Sequence, residues 1–168
     1  MILIALGANQ SSLAGPPEAT LRAALEALSV RGARVLAVSR MFSSPAWPDP
    51  SDPPFTNAVA SIETDMPPAV LMAALHAVEA EFGRERRLPN APRTLDLDLI
   101  DYGGRVESPP GGPVLPHPRA AERAFVLAPL LDVAPDWRDP ASGRTGRELL
   151  KAAQALGNQA FPAHINPS

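Results

Sequence analysis

Asp96 and Asp98 stand two residues apart in an otherwise apolar run, 95–100, so an extended strand turns both carboxylates to one face. Two carboxylates a few ångströms apart resist joint ionisation, and a bound divalent cation removes that conflict. Mg²⁺ suits such oxygen donors, with water and phosphate oxygens filling its other positions. The same spacing also fits an edge strand whose Asp residues face water and discourage aggregation. The arginines upstream shift the balance. Arg84, Arg86 and Arg87 cluster ahead of Arg93, which lies three residues before Asp96. Guanidinium groups beside a metal-binding pair are what a polyphosphate needs, through bidentate charge-assisted contacts. A solvated helix end accounts for the charge over 84–87, but not for Arg93 directly before the Asp strand. His117, flanked by Pro116 and Pro118 and followed by Arg119 and Arg123, can donate to a phosphate oxygen, although it also reads as an ordinary loop histidine.

A second group has the chemistry of a heterocycle site. Asn57 opens a strand after Pro53-Pro54-Phe55, and a side-chain amide matches the donor and acceptor pattern of a ring edge. Phe55, Trp47 and Phe125 offer flat apolar surfaces, although each taken singly also reads as a core or loop anchor. Neither a phosphate-binding P-loop nor a nucleophile elbow is present. With no Cys, thiolate ligands, thiol nucleophiles and disulfides are excluded. The net charge of −3 provides no global field for nucleic acid, so an anionic ligand depends on local basic residues. The apolar start, 2–6, has no basic residues before it and is too short to span a bilayer. It is therefore expected to be a strand, and the cytoplasm is the expected location.

The elements that would position these residues follow from periodicity. A chain of 168 residues, 45% hydrophobic and 20% charged, suits one globular domain, expected over 1–160 with a flexible tail over 161–168. Strands are predicted over 2–6, 35–42, 57–64 and 95–102. One helix starts near Pro17 and stops at Gly32; another starts at Pro67-Pro68 and stops at Gly83, with Val70, Leu71, Ala74, Leu75, Val78 and Phe82 as its apolar face. Further helices are expected near 120–131 and 146–156. The order β-α-β-β-α-β is that of an α+β, ferredoxin-like antiparallel sheet with two helices on one face and additional C-terminal helices. The 21 prolines concentrate in loops, which makes those loops stiff and less costly to order around a ligand. The loops at 45–54 and 84–92 are the expected moving cover.

Taken together, the chain resembles the 6-hydroxymethyl-7,8-dihydropterin pyrophosphokinase family over most of its length. The most specific part is Pro92-Arg93-Thr94-Leu95-Asp96-Leu97-Asp98-Leu99-Ile100; Ala5-Leu6-Gly7-Ala8-Asn9, Ser44-Pro45, Phe55-Thr56-Asn57-Ala58, Glu79, Arg84 with Arg86, Pro116-His117 and Arg123-Ala124-Phe125 follow in family order. The resemblance implies MgATP as donor, two Mg²⁺ ions held by Asp96 and Asp98, and transfer of the β- and γ-phosphoryl groups to the pterin hydroxymethyl oxygen with release of AMP, a step of folate biosynthesis. It assigns Arg84 and Arg93 to catalysis with the Asp pair. Glu79, Arg84, Arg86, Arg93, His117, Arg123 and the backbone at Leu99 and Ile100 fall to ATP. Ser44, Pro45, Phe55, Asn57 and Phe125 fall to the pterin. Trp47 joins that set as aromatic cover, because Asn90 stands where many relatives carry a Trp and Ala91 replaces the usual Gly. Gly111-Gly112 likewise supplies no basic side chain where some relatives have one. A monomer is implied, with ATP and the pterin as ligands and neither nucleic acid nor membrane as partner. A non-catalytic metal- or nucleotide-binding module on the same fold is the rival reading.

Overall fold

The computed structural model describes residues 1–47, 49–83 and 94–163. Strand β1 (Ile2–Ala8) leads into helix α1 (Pro17–Val30), strands β2 (Arg34–Val38), β3 (Phe42–Ser44) and β4 (Phe55–Glu63), helix α2 (Pro68–Glu81) and strand β5 (Asp96–Tyr102). A 3₁₀ turn (Ala120–Glu122), helices α3 (Ala124–Val133) and α4 (Gly146–Ala155), and a short strand β6 (Phe161–Pro162) complete it. Both α1 and α2 open with proline in the first turn, where the missing N–H would have had no helical partner. Both stop at the expected glycine: Gly32 and Gly83 adopt positive φ, which a side chain would resist.

The strands run in the order β5-β1-β4-β3-β6, with β2 beside β3 on the same side of β4, and every pairing is antiparallel. This is the ferredoxin-like layer expected from the element order. Its central strand β1 is apolar throughout because both of its faces are covered. Ile2, Ile4 and Leu6 pack with Leu21, Leu28, Leu71 and Leu75 of α1 and α2. On the opposite face Leu3, with Val59 and Ile100, packs under Leu127 and Leu130 of α3, and α4 adds Leu149 and Ala153. The additional C-terminal helices therefore close the second face of the sheet.

Several elements differ from their periodic signal. The single strand expected over 35–42 is two, with a bulge between Val35 and Ala37 and a break before Phe42. The Ser39 N–H still donates to the Val59 carbonyl at 2.8 Å, and side-chain bonds supplement the ladder there. The Ser39 hydroxyl accepts from the Val59 N–H, and Arg40 gives both its backbone N–H and its guanidinium to Asp132 of α3. The helix expected over 120–131 is interrupted at Arg123, whose backbone is extended and serves as the N-cap of α3. Val70, expected on the apolar face of α2, is exposed, while Glu79 is 1% exposed in its place. At the C-terminus β6 pairs with β3, and the Ala163 N–H donates to the Met41 carbonyl.

Strand β5 also carries a register shift against β1, between Leu3 and Ile4, so Ile4 lies opposite Leu99 and Leu3 opposite Asp101. Buried Asp101 then accepts from the Trp137 indole N–H at 2.8 Å and from the Gly104 N–H at 2.9 Å. Trp137→Phe keeps the packed ring but strips one carboxylate oxygen of its donor. The expected loss is about 1–3 kcal/mol, read as a lower urea midpoint at unchanged slope.

Candidate active site

The face of the sheet under α3 is filled at one end and open at the other, because the central strand changes side-chain size along its length. Leu3 supports α3, whereas Ala5 and Gly7 on the same face leave the floor low. The result is a cleft of about 990 Å³. Across its floor Asp96 pairs with Gly7 and Gly7 with Asn57; one row further in, Asp98 pairs with Ala5. Register alone therefore places the two carboxylates and the amide on one face, separated by a residue without a side chain.

Gly7 is needed for that spacing. A Cβ built there would lie 3.2 Å from the Asn57 Oδ1, a tight approach to a buried side chain whose Nδ2 already donates to the Ser44 hydroxyl at 2.8 Å. Gly7→Ala is expected to push the amide aside and weaken binding of a ligand at Asn57 roughly 3- to 10-fold, a cost of about 1 kcal/mol typical of modest overpacking. Calorimetry on the folded variant checks this.

Two arginines and a glutamate from the segment before α3 add charge to the cleft. Arg119, Glu122 and Arg123 line it, and the Arg123 guanidinium carbon lies 5.4 Å from the centre of the Phe125 ring. His117 is held at the edge of β5 by its own N–H, which donates to the Ile100 carbonyl at 2.9 Å. Its Nδ1 accepts from the Arg119 N–H at 3.2 Å, which places the proton of the neutral ring on Nε2, 3.8 Å from Asp98 Oδ1. Burial holds this imidazole below its ordinary pKa. Asp98 and Asp96 pull it upward, while Arg123 and Arg119 push it further down. The ring is thus neutral at pH 7 and presents a donor to the Asp end of the cleft.

The other expected residues divide into four sets. Ser44, Pro45, Trp47, Phe55, Asn57 and Phe125 all line the cleft together with the Asp pair. Glu79 instead approaches from α2, on the helix side of β5, where its carboxylate accepts from the Leu97 N–H at 3.0 Å, between the two Asp residues. Leu99 and Ile100 bury their side chains in the clusters on opposite faces of the sheet. Arg84, Arg86 and Arg93, together with Asn90 and Ala91, lie outside the described residues. Periodicity did not single out Ala46, Glu122 or the turn at Leu156, Gly157, Asn158 and Gln159, all of which line the cleft. No local pattern marks them, since the fold brings them there from a distance.

Asp96 and Asp98 offer only carboxylate oxygens, the donor type that Mg²⁺ prefers. Among the described residues no group of three or more His, Cys, Asp or Glu is arranged around a common point. Mg²⁺ at a nucleotide usually completes its shell with water and phosphate oxygens, which suits a pair of carboxylates. The donor set fits.

A family model described as 7,8-dihydro-6-hydroxymethylpterin-pyrophosphokinase (HPPK) matches residues 3–135. A Pseudomonas aeruginosa protein named 2-amino-4-hydroxy-6-hydroxymethyldihydropteridine pyrophosphokinase is 41% identical over 162 residues, 96% of each chain. A Synechocystis protein of the same name is 38% identical over 150 residues, 89% of this chain and 74% of that one. Among solved structures, Plasmodium falciparum HPPK-DHPS wild type with pteroate shares the fold at a TM-score of 0.67 and 9% identity. That alignment covers 90% of this chain and 42% of the longer one.

Proposed function

This chain belongs to the 7,8-dihydro-6-hydroxymethylpterin-pyrophosphokinase family, and we propose that its cleft is where the diphosphoryl group passes from ATP to the pterin. The enzyme is a pyrophosphokinase of folate biosynthesis: ATP and 6-hydroxymethyl-7,8-dihydropterin become AMP and the pterin diphosphate. The non-catalytic rival is not favoured. The observation that carries the assignment of the cleft is the row Asp96–Gly7–Asn57, which joins a carboxylate pair suited to metal-bound phosphate to an amide suited to a ring edge.

In this reading Asn57 and Ser44 hold the edge of the pterin, while Phe55 and Phe125 take its faces and Trp47 and Pro45 close over it. Asp96 and Asp98 would hold two Mg²⁺ ions, which would neutralise the polyphosphate and lower the pKa of the attacking hydroxyl. The hydroxymethyl oxygen then attacks the β-phosphorus, and the bond from that phosphorus to the oxygen of the α-phosphate breaks. Arg123 and Arg119 sit where charge grows on the transferred group, and the His117 Nε2–H can donate to a phosphate oxygen beside Asp98. No side-chain base is required, since the hydroxyl proton can leave to water. The roles expected of Arg84, Arg86 and Arg93 on the polyphosphate belong to the same proposal, as do the adenine contact at Leu99 and Ile100 and the nucleotide-side role of Glu79. So do a single domain over 1–160, a monomeric state and cytoplasmic residence; no helix among the described residues is long and apolar enough to cross a membrane.

The direct experiment mixes the protein with MgATP and 6-hydroxymethyl-7,8-dihydropterin. AMP and pterin diphosphate are expected in equal amounts. ADP with a pterin monophosphate, or no pterin product at all, would overturn the reading.

A further inference from the structure

We infer that the turn after α4 is part of the acceptor-binding site, with Leu156 and Asn158 as residues that contact the bound pterin. This rests on the placement of the pterin at the Asn57 end of the cleft. Leu156, Gly157, Asn158 and Gln159 form a wall of the same cleft as Ser44, Trp47 and Asn57, although they lie about a hundred residues away in sequence.

The turn is built in place rather than left loose. Leu149 and Ala153 anchor α4 in the core, and Thr145 and Glu148 cap its start reciprocally. At its end the Gly157 N–H donates to the Gln154 carbonyl and the Asn158 N–H to the Ala153 carbonyl, with Gly157 at φ +88°. That pair of bonds is the Schellman closure, in which the position held by Asn158 ordinarily carries an apolar residue packed back on the helix. Here it carries a half-buried amide on the wall of a cleft. The cap uses only the backbone of Asn158, so its side chain is available for another task.

Beyond the turn, β6 pairs antiparallel with β3, Ser43 opposite Phe161 and Phe42 opposite Pro162. Continuing that register brings Ala160 abreast of Ser44 and Gln159 abreast of Pro45. Ser44 is the hydroxyl that accepts from Asn57, so β6 sets the turn beside the amide-reading end of the cleft. Leu156 and Trp47 face this cleft with 83% and 72% of their surface exposed. Two large apolar side chains left to water at one mouth are suited to cover a flat ring, and a second amide is suited to its remaining donor and acceptor atoms.

The test measures the affinity of 6-hydroxymethyl-7,8-dihydropterin by calorimetry, in the presence of Mg²⁺ and a non-hydrolysable ATP analogue, for Asn158→Ala and Leu156→Ala. Each should weaken pterin binding about 5- to 10-fold, the loss of one hydrogen bond or one apolar contact. KM for the pterin should rise in step while nucleotide affinity and kcat stay within about twofold. Thr145→Ala serves as the structural control: it loosens α4 without touching the cleft and should leave pterin affinity at the parent value. The inference is overturned if both cleft variants bind the pterin like the parent while Asn57→Ala does not. It is also overturned if they lose nucleotide affinity instead, or if Thr145→Ala weakens the pterin equally. Unchanged binding by Asn57→Ala as well would remove the pterin from this end of the cleft, and the inference with it.

Discussion

Asp98→Ala is expected to lose turnover by a factor on the order of 10³ or more and to remain folded. The activity loss follows from position. Asp98 faces the cleft one row from Asp96, its side chain 35% exposed, within 3.8 Å of the His117 Nε2. In the proposed reading the carboxylate pair holds Mg²⁺ at the polyphosphate, so removing half of it would forfeit charge stabilisation at the transferred group. Loss of a single such stabiliser commonly costs about 10²–10³ in kcat, and loss of a metal-binding side chain belongs at or beyond the upper end. A factor of 10³ corresponds to about 4 kcal/mol of barrier. The fold should persist because the backbone of Asp98 keeps its place opposite Ala5 whatever the side chain. In the absence of metal the substitution also relieves repulsion between two like charges. AMP release at saturating Mg²⁺ and a thermal melt, each run on parent and variant, read the two halves of the prediction. Full activity in the variant would remove the pair from catalysis.

Asn57→Ala is expected to weaken pterin binding about 10- to 100-fold and to leave nucleotide binding intact. The amide is 4% exposed and already oriented, with Nδ2 donating to Ser44 and Oδ1 held over Gly7. A group fixed before the ligand arrives costs little to order on binding, and one or two hydrogen bonds at about 1–1.5 kcal/mol each account for that range. The nucleotide is expected to be spared because, in the proposed reading, it lies with the carboxylate row, on the other side of Gly7 from Asn57. Separate calorimetric titrations with pterin and with MgATP distinguish the two. Pterin affinity equal to the parent would take Asn57 out of recognition. The variant should also lose about 1–2 kcal/mol of stability, since Ser44 is buried and its hydroxyl loses a partner.

Both predictions draw on features of very different visibility in the sequence. The alternation in 95–100 showed that Asp96 and Asp98 share a face, because strand periodicity is local and needs no partner. Proline at the start and glycine at the end placed α1 and α2 for the same reason: the φ preferences of those residues act wherever they occur. Residue type marks Asn57, Phe55 and Phe125 as suited to a heterocycle, but only the fold shows that they line one cleft, since their spacing along the chain carries no distance information.

Where the fold departs from the periodic signal, a side-chain contact accompanies the departure. The run 35–42 alternates like one strand, yet Arg40 is drawn off the ladder by Asp132, 92 positions later. Residues 120–131 look helical throughout, but Arg123 takes an extended backbone and becomes the cap of α3, with its guanidinium over Phe125. Glu79 lies in a helix whose other buried positions are apolar, and its burial becomes intelligible only once Leu97 offers it an N–H across the fold.

By itself the sequence determined the element order, the shared face of the carboxylates and, through its motif, the family. Those depend on steric and periodic rules that act over a few residues. Only the tertiary structure decided what lies around Asp96 and Asp98: the low floor at Ala5 and Gly7, the His117 Nε2 at 3.8 Å from Asp98, and the distant turn at 156–159 lining the same cleft. Those depend on strand register and on pairings between residues far apart in the chain, where packing and hydrogen-bond satisfaction, not local preference, set the result.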